Sequence, residues 1–149
     1  MDTISRSRRR TSSPTLVGDL MSSPVVTASP GQTVASAADA MVLAGVGSGV
    51  VVGDPGLPVG ILTERDLVRA AAAGVDARAT TVGEWMTAAP HVVSPSVSID
   101  EALDTLTRRG YRHLPVVDGA AMVGIVSLRD LLASASIRPA GEAAIDAPR

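Results

Sequence analysis

Two short segments of the chain place a hydroxyl and a carboxylate group at the same spacing. The first is GILTERD, from Gly60 to Asp66, and the second is GIVSLRD, from Gly124 to Asp130. In each, apolar residues end at a Thr or Ser, and an Asp follows three positions later. If a strand ends and a helix begins at the hydroxyl residue, the first turn of the helix has free backbone N–H groups that can bind an anion. A carboxylate one turn away can accept both hydrogens of a ribose diol.

Six polar residues of these segments are candidates for ligand contact. They are Thr63, Arg65 and Asp66 in the first segment, and Ser127, Arg129 and Asp130 in the second. The structural interpretation is a capping box, in which hydroxyl and carboxylate satisfy the helix N-terminus and the arginines are solvated charges. The functional interpretation is a nucleotide site, in which hydroxyl, N–H and guanidinium groups hold phosphate and the carboxylate holds ribose.

The two segments belong to a repeat that spans most of the chain. VGDLM (17–21) matches VGEWM (82–86) at an offset of 65, whereas Gly60 and Gly124 are 64 apart. One residue is therefore lost between these landmarks, within GDPGLPV (53–59), where Gly, Asp and Pro predict a turn. A length change inside a turn leaves the flanking elements intact, as a structural repeat requires.

Each half is predicted to contain a lead-in helix, a β segment, a helix, two strands and a final helix, which gives an α+β fold. Thr33 and Ser98 suit helix N-caps, and Gly45 and Gly110 suit helix C-caps. The predicted helices are 16–21, 33–45, 64–73, 81–86, 98–109 and 128–135, and the predicted β segments are 24–29, 48–53, 58–63, 90–95, 113–118 and 122–127.

The repeat divides the chain into two motifs with a tail at each end. We expect the first motif over 16–75 and the second over 76–136. The basic leader, 1–15, and the tail, 137–149, have no hydrophobic period, and both are predicted to be disordered.

Composition limits the class of protein. The apolar share of 46% is enough for a core, and the absence of Cys excludes disulfides and thiolate metal sites. No apolar run approaches the roughly 18 residues that a membrane helix needs. No apolar segment follows the basic residues of the leader, so a signal peptide is not predicted and a cytoplasmic location is expected.

Nucleic-acid binding is one alternative, and its evidence is RSRRR (6–10). Four arginines against one aspartate give residues 1–14 a charge of +3, so the remainder of a chain of net charge −2 carries −5. An acidic body repels phosphates. Trp85 and Tyr111 are the only aromatic residues, so no platform for stacking bases is predicted. A solvated leader is the favoured interpretation.

The double G-hydrophobic-hydrophobic-T/S-x-x-D segment, YRHLPVVD (111–118) and the order of elements resemble a tandem pair of CBS domains over about residues 17–135. The resemblance implies two β-α-β-β-α motifs that pack through their sheets about a pseudo-twofold axis. It implies a cleft between them for AMP, ADP, ATP or S-adenosylmethionine, a homodimer, and a sensor role toward an effector protein. From the residues themselves, no catalytic group, metal or required cofactor is expected, since His91 and His113 are lone histidines without Cys and no paired carboxylates stand out.

The resemblance also assigns roles residue by residue. Asp66 and Asp130 match the family's ribose ligands, and Thr63 and Ser127 match its phosphate-side hydroxyls. The base would rest near the entry strand of the other motif, where ordinary β core is the alternative. The residues concerned are Thr27 and Ala28 for the Asp130 site, and Val92 and Val93 for the Asp66 site.

The two sites are not expected to be equivalent. Arg112 and His113 stand where family members often hold phosphate, whereas the aligned residues of the first half are Gly47 and Ser48. The Asp130 site is therefore predicted to prefer phosphorylated ligands, and the Asp66 site to take adenosine with little phosphate, or nothing. The alternative for His113 is a partly buried strand residue with a satisfied hydrogen bond. The alternative for the protein is a scaffold that dimerises and binds a partner without ligand.

Overall fold

A computed structural model describes residues 16–137 of the chain. The predicted leader and all but the first residue of the predicted tail lie outside this range. In chain order the elements are α1 (Val17–Leu20), β1 (Thr27–Ala28), α2 (Val34–Ala44), β2 (Ser48–Val52), β3 (Pro58–Thr63), α3 (Glu64–Ala72), α4 (Val82–Trp85), β4 (Thr87–Ala88), α5 (Ile99–Arg109), β5 (His113–Asp118), β6 (Ala121–Ser127) and α6 (Leu128–Ile137). The α+β class and the repeated order of elements are confirmed.

The helices of the two halves begin and end on equivalent residues. The side chain of Thr33 accepts a hydrogen bond from the backbone N–H of Ser36, and Ser98 does the same for Glu101. At the other end, Gly45 and Gly110 have φ values of 66° and 68°, a left-handed conformation that glycine adopts without a steric penalty. These four caps were predicted, and they are confirmed.

Strand pairing differs between the halves. In the first, β1 runs parallel to β2, and β2, β3 and β4 are antiparallel neighbours. In the second, β5 and β6 form an antiparallel pair, and Val93 makes only an isolated parallel bridge to Val116. The strand predicted over 90–95 is therefore wrong in extent. Pro90 and Pro95 bound it, and proline has no N–H to donate to a neighbouring strand.

Each short lead-in helix packs on the other half of the chain: α1 packs on the second half and α4 on the first. The N–H of Val17 donates to the carbonyl of Val97 at 2.8 Å, and the N–H of Val82 donates to the carbonyl of Gln32 at 2.8 Å. Val17 is accordingly buried in the core of the second half, and Val82 in the core of the first. The reciprocity is what a pseudo-twofold relation between the motifs requires.

The exchange explains the glycine at the head of each repeated segment. Side chains that follow the lead-in helices lie over the strands that lead to the site: Met86 covers Gly60 and Met21 covers Gly124. A Cβ at Gly124 would come within 2.7 Å of Sδ of Met21, so a larger residue does not fit. This packing ties each lead-in segment to the strand that positions the other half's Thr or Ser.

The described helices are short. None of those between residues 16 and 137 combines the length and apolar character that crossing a membrane requires.

Candidate functional site

Two cavities lie where the halves meet, and each contains one of the repeated carboxylates. The Asp130 cavity has a volume of about 820 Å³, and the Asp66 cavity one of about 380 Å³. Both are lined by residues of both halves. Both volumes lie within the range of about 300–1,000 Å³ that is typical of small-molecule sites.

Asp130 stands in the first turn of α6, directly after the end of β6. The hydroxyl of Ser127 donates to Oδ2 of Asp130 at 2.8 Å, and the backbone N–H of Asp130 donates to that hydroxyl at 3.2 Å. Asp130 is half-buried. Among residues 16–137, Ser127 is the only residue whose hydrogen bonds reach this carboxylate. Its Oδ1 atom can therefore accept from a ligand.

Asp66 has the same place at the start of α3, but its carboxylate is fully engaged. Oδ2 accepts from the backbone N–H of Thr63 at 2.9 Å and from its hydroxyl at 3.0 Å, while Nη1 of Arg69 lies 3.4 Å from Oδ1. The residue is 3% exposed. Each carboxylate oxygen of Asp66 thus has a partner, Thr63 for Oδ2 and Arg69 for Oδ1, whereas Oδ1 of Asp130 has none among residues 16–137.

Arginine side chains line both cavities, and the Asp66 cavity also has Glu64 in its wall. Arg129 lies in the wall of the Asp130 cavity and Arg65 in that of the Asp66 cavity, while Arg112 and His113 line both. The predicted contrast between a charged and an uncharged site is therefore wrong in this respect. Sequence alignment compares Arg112 with its counterpart Gly47, but the start of β5 lies between the cavities and faces each of them.

Burial lowers the pKa of His113, and the positive charge of Arg112 adds to this effect, whereas the carboxylate of Asp130 opposes it. The imidazole is consequently neutral at physiological pH, with one nitrogen able to donate and the other to accept. His113 can thus hydrogen-bond a ligand without adding a full charge to the cavity.

The residues predicted to contact the base do not line either cavity. Thr27 pairs with Val50 in the sheet, and Ala28 packs into the core of the first half. Val93 is buried in the core of the second half, and Val92 is 41% exposed outside both cavities. The entry strands instead contribute earlier residues. These are Pro24, Val25 and Val26 in the Asp130 cavity, and Thr87 in the Asp66 cavity.

The charged and aromatic residues of the Asp66 cavity that were missed from the sequence are Glu64, Arg69 and Tyr111. A signal for Arg69 exists, because it follows Asp66 by three positions on a helix and such pairs face one another. Among the described residues, no group of three or more His, Cys, Asp or Glu side chains could hold a metal ion.

A family model for the CBS domain matches the chain twice, over residues 17–73 and 82–136. The chain belongs to the CBS-domain family. The two matches make it a tandem CBS pair, and pairs of this kind are regulatory modules.

Curated and solved CBS proteins resemble the chain over most of its length. The CBS domain-containing protein YhcV of Bacillus subtilis is 39% identical over 116 residues, which are 77% of this chain and 81% of YhcV. The CBS pair of protein MJ0100, solved with methylthioadenosine and S-adenosylmethionine, has a TM-score of 0.73 and 26% identity over 83% of this chain and 98% of its own. A hexameric CBS-CP12 protein from bloom-forming cyanobacteria has a TM-score of 0.74 and 30% identity, covering 78% of this chain and 69% of its own.

Proposed function

We propose that this CBS pair binds an adenosine-containing ligand in the Asp130 cavity and signals its occupancy to a partner protein. The observation that carries the proposal is the half-buried carboxylate of Asp130. It is held on one side by Ser127 and accessible on the other, in a cavity of about 820 Å³. The protein would act as a sensor of this ligand.

Different residues of the cavity suit the ribose and the base of such a ligand. Asp130 can accept hydrogen bonds from a ribose diol, as acidic residues do in dinucleotide folds. Apolar side chains form another part of the wall and would enclose the base. They are Pro24, Val25, Val26, Ile125 and Leu132.

Charge favours a phosphorylated ligand over a neutral one. Arg112 and Arg129 line the cavity against the single carboxylate of Asp130, so the charged side chains of its wall leave one positive charge in excess. Guanidinium groups bind phosphate with paired hydrogen bonds. We therefore place AMP, ADP and ATP ahead of S-adenosylmethionine, whose sulfonium is positive. The complex of MJ0100 with methylthioadenosine and S-adenosylmethionine supports the adenosine part of the proposal.

Signalling requires that the ligand bind two states of the module with different affinity. The ligand would contact residues of both halves, since the Asp130 cavity is lined by Val25, Val26 and Gly47 as well as by Arg112 and Asp130. Occupancy would therefore favour the state in which the halves are closest. A partner protein that binds this state would respond to the ligand.

A thermal-shift panel of AMP, ADP, ATP, S-adenosylmethionine, methylthioadenosine and GTP tests the ligand class. A ligand at 100 times its dissociation constant stabilises the folded state by about 2.7 kcal/mol, which raises the melting temperature of a chain of this size by roughly 5–10 °C. We expect the shift with adenine nucleotides and not with GTP. No shift with any of them at millimolar concentration would contradict the proposal and favour a ligand-free scaffold.

We also propose that the module is a homodimer. Exposed apolar side chains on α2 and α3 support this, with Val42, Leu43 and Val68 being 79%, 88% and 67% exposed. Sedimentation equilibrium of the chain and of Leu43→Glu tests it. The unsubstituted chain is expected to sediment as a dimer and the variant as a monomer. A monomeric unsubstituted chain would contradict the proposal.

A further inference from the structure

We propose that Arg69 closes the Asp66 cavity to ribose, so that the module has one adenosine site, at Asp130, rather than two. The inference rests on the proposed function and adds a residue that determines specificity. Asp66 and Asp130 occupy equivalent positions in the repeat, but the contacts of their carboxylates differ.

Both carboxylate oxygens of Asp66 already have partners within the chain. Its Oδ2 atom accepts two hydrogen bonds from Thr63, at 2.9 and 3.0 Å, and Nη1 of Arg69 lies 3.4 Å from Oδ1. A carboxylate binds a diol by presenting oxygen atoms to two adjacent hydroxyls. With a side chain only 4% exposed, Asp66 cannot present them unless Arg69 moves.

A second contact holds Arg69 in this position. Its guanidinium carbon lies 6.0 Å from the centre of the Trp85 ring, within the range of a cation–π interaction. Trp85 belongs to α4, the lead-in helix that packs on the first half. Arg69 thus contacts a residue of its own helix and a residue of the exchanged helix.

The second half has neither of these groups. By the offsets of the repeat, Ala133 takes the place of Arg69, and Leu20 takes the place of Trp85. Among residues 16–137, no guanidinium pairs with the carboxylate of Asp130 within the 4.0 Å of a salt bridge. The two carboxylates therefore differ because of two side chains outside the repeated segments.

Removing Arg69 is expected to leave the fold intact. Its side chain is 63% exposed, and without it the buried carboxylate of Asp66 keeps both hydrogen bonds from Thr63. The substitution Arg69→Ala gives the first half the residue that the second half already has. It also removes a positive charge near the cavity, so the test includes methylthioadenosine, which has the ribose diol but no phosphate.

The experiment is isothermal titration of AMP, ATP and methylthioadenosine into the unsubstituted chain, Asp130→Asn, Asp130→Asn/Arg69→Ala, and the triple variant that adds Asp66→Asn. Hydrogen bonds to a carboxylate are strong enough that Asp130→Asn should weaken binding about tenfold or more. Arg69→Ala should then restore binding of at least one ligand to within about threefold of the unsubstituted chain. Asp66→Asn should abolish the restored binding.

Arg108→Ala in the Asp130→Asn background is the matched control. Arg108 also forms an exposed ion pair within a helix, at 2.8 Å from Asp104, and lines neither cavity. It should restore nothing.

The outcomes separate the inference from the proposed function. If the unsubstituted chain binds but Arg69→Ala restores no ligand to Asp130→Asn, the inference is overturned and the proposed function stands. If the unsubstituted chain binds none of the three ligands, the proposed function fails. Undiminished binding by Asp130→Asn would overturn both, because the ligand would then not depend on the Asp130 carboxylate.

Discussion

Exchange of the lead-in helices can be tested by filling the space that each methionine occupies. In Gly124→Ala the new Cβ would lie 2.7 Å from Sδ, 2.9 Å from Cγ and 3.0 Å from Cβ of Met21. These separations are shorter than carbon and sulfur contacts allow, so Met21 must shift. Overpacking of this kind costs about 1–3 kcal/mol. We expect a loss in this range, and a melting temperature lower by roughly 3–10 °C.

The assay is a double-mutant cycle on the free energy of unfolding, measured by urea denaturation with circular dichroism. Met21→Ala removes the atoms that collide with the new methyl group. The double variant Gly124→Ala/Met21→Ala should therefore be about 0.5–3 kcal/mol more stable than the sum of the single effects, the range found for residues in contact. Gly31→Ala is the control, because a Cβ there meets nothing within 4 Å, and it should change stability by less than about 0.5 kcal/mol.

The crossed pairs decide between exchanged and unexchanged packing. If the lead-in helices are exchanged, Met21 couples to Gly124 and Met86 couples to Gly60, while Met21 with Gly60 and Met86 with Gly124 are additive to within about 0.5 kcal/mol. Coupling of Met21 to Gly60 in place of Gly124 would refute the packing described above.

Two predictions concern Arg112 and His113, which line both cavities. Arg112→Ala should weaken ATP more than methylthioadenosine in titration calorimetry, because only ATP carries phosphate; equal losses would contradict the role of Arg112. Burial lowers the pKa of His113 in the folded state, so the unfolded chain binds its proton first as pH falls. Stability should therefore decrease as pH falls below about 6.5. Between pH 7.5 and 5.5, His113→Gln should lose less stability than the unsubstituted chain in urea denaturation, and equal losses would contradict the assignment.

Much of the fold could be predicted because the same helix-cap and turn residues occur at equivalent positions in both halves. Gly45 and Gly110 end their helices, and Thr63 and Ser127 mark the change from strand to helix, for reasons that depend on neighbouring residues alone. Local conformational preferences of this kind are visible in the sequence. The predicted helices and paired strands followed from them, with boundaries that differ by a few residues.

The exchange of α1 and α4 could not be predicted in this way. An offset of 65 shows that Val17 and Val82 are equivalent, but it does not show which sheet either one packs on. Both arrangements bury the same apolar side chains against similar strands. The choice depends on long-range packing, and the glycines that accommodate Met21 and Met86 are interpretable only after that packing is known.

In the candidate site, too, some features follow from the local sequence and others depend on long-range packing. Asp66 and Asp130 each line one cavity, because each follows its strand by a fixed number of residues. Their difference depends on Arg69 and Trp85, which come from separate helices and meet only in the folded chain. Thr27 and Ala28 were placed near the base by resemblance, but the sheet directs them to pairing and to the core.

The most direct test of the account is titration calorimetry of ATP with two matched variants, Asp130→Asn and Asp66→Asn. Each replaces a carboxylate with a neutral group of the same shape, one residue beyond an arginine, in the first turn of a helix. We expect Asp130→Asn to weaken ATP binding about tenfold or more, and Asp66→Asn to leave the affinity for ATP within about threefold of the unsubstituted chain. Equal effects of the two substitutions, or a loss confined to Asp66→Asn, would contradict the assignment of the ligand to the Asp130 cavity.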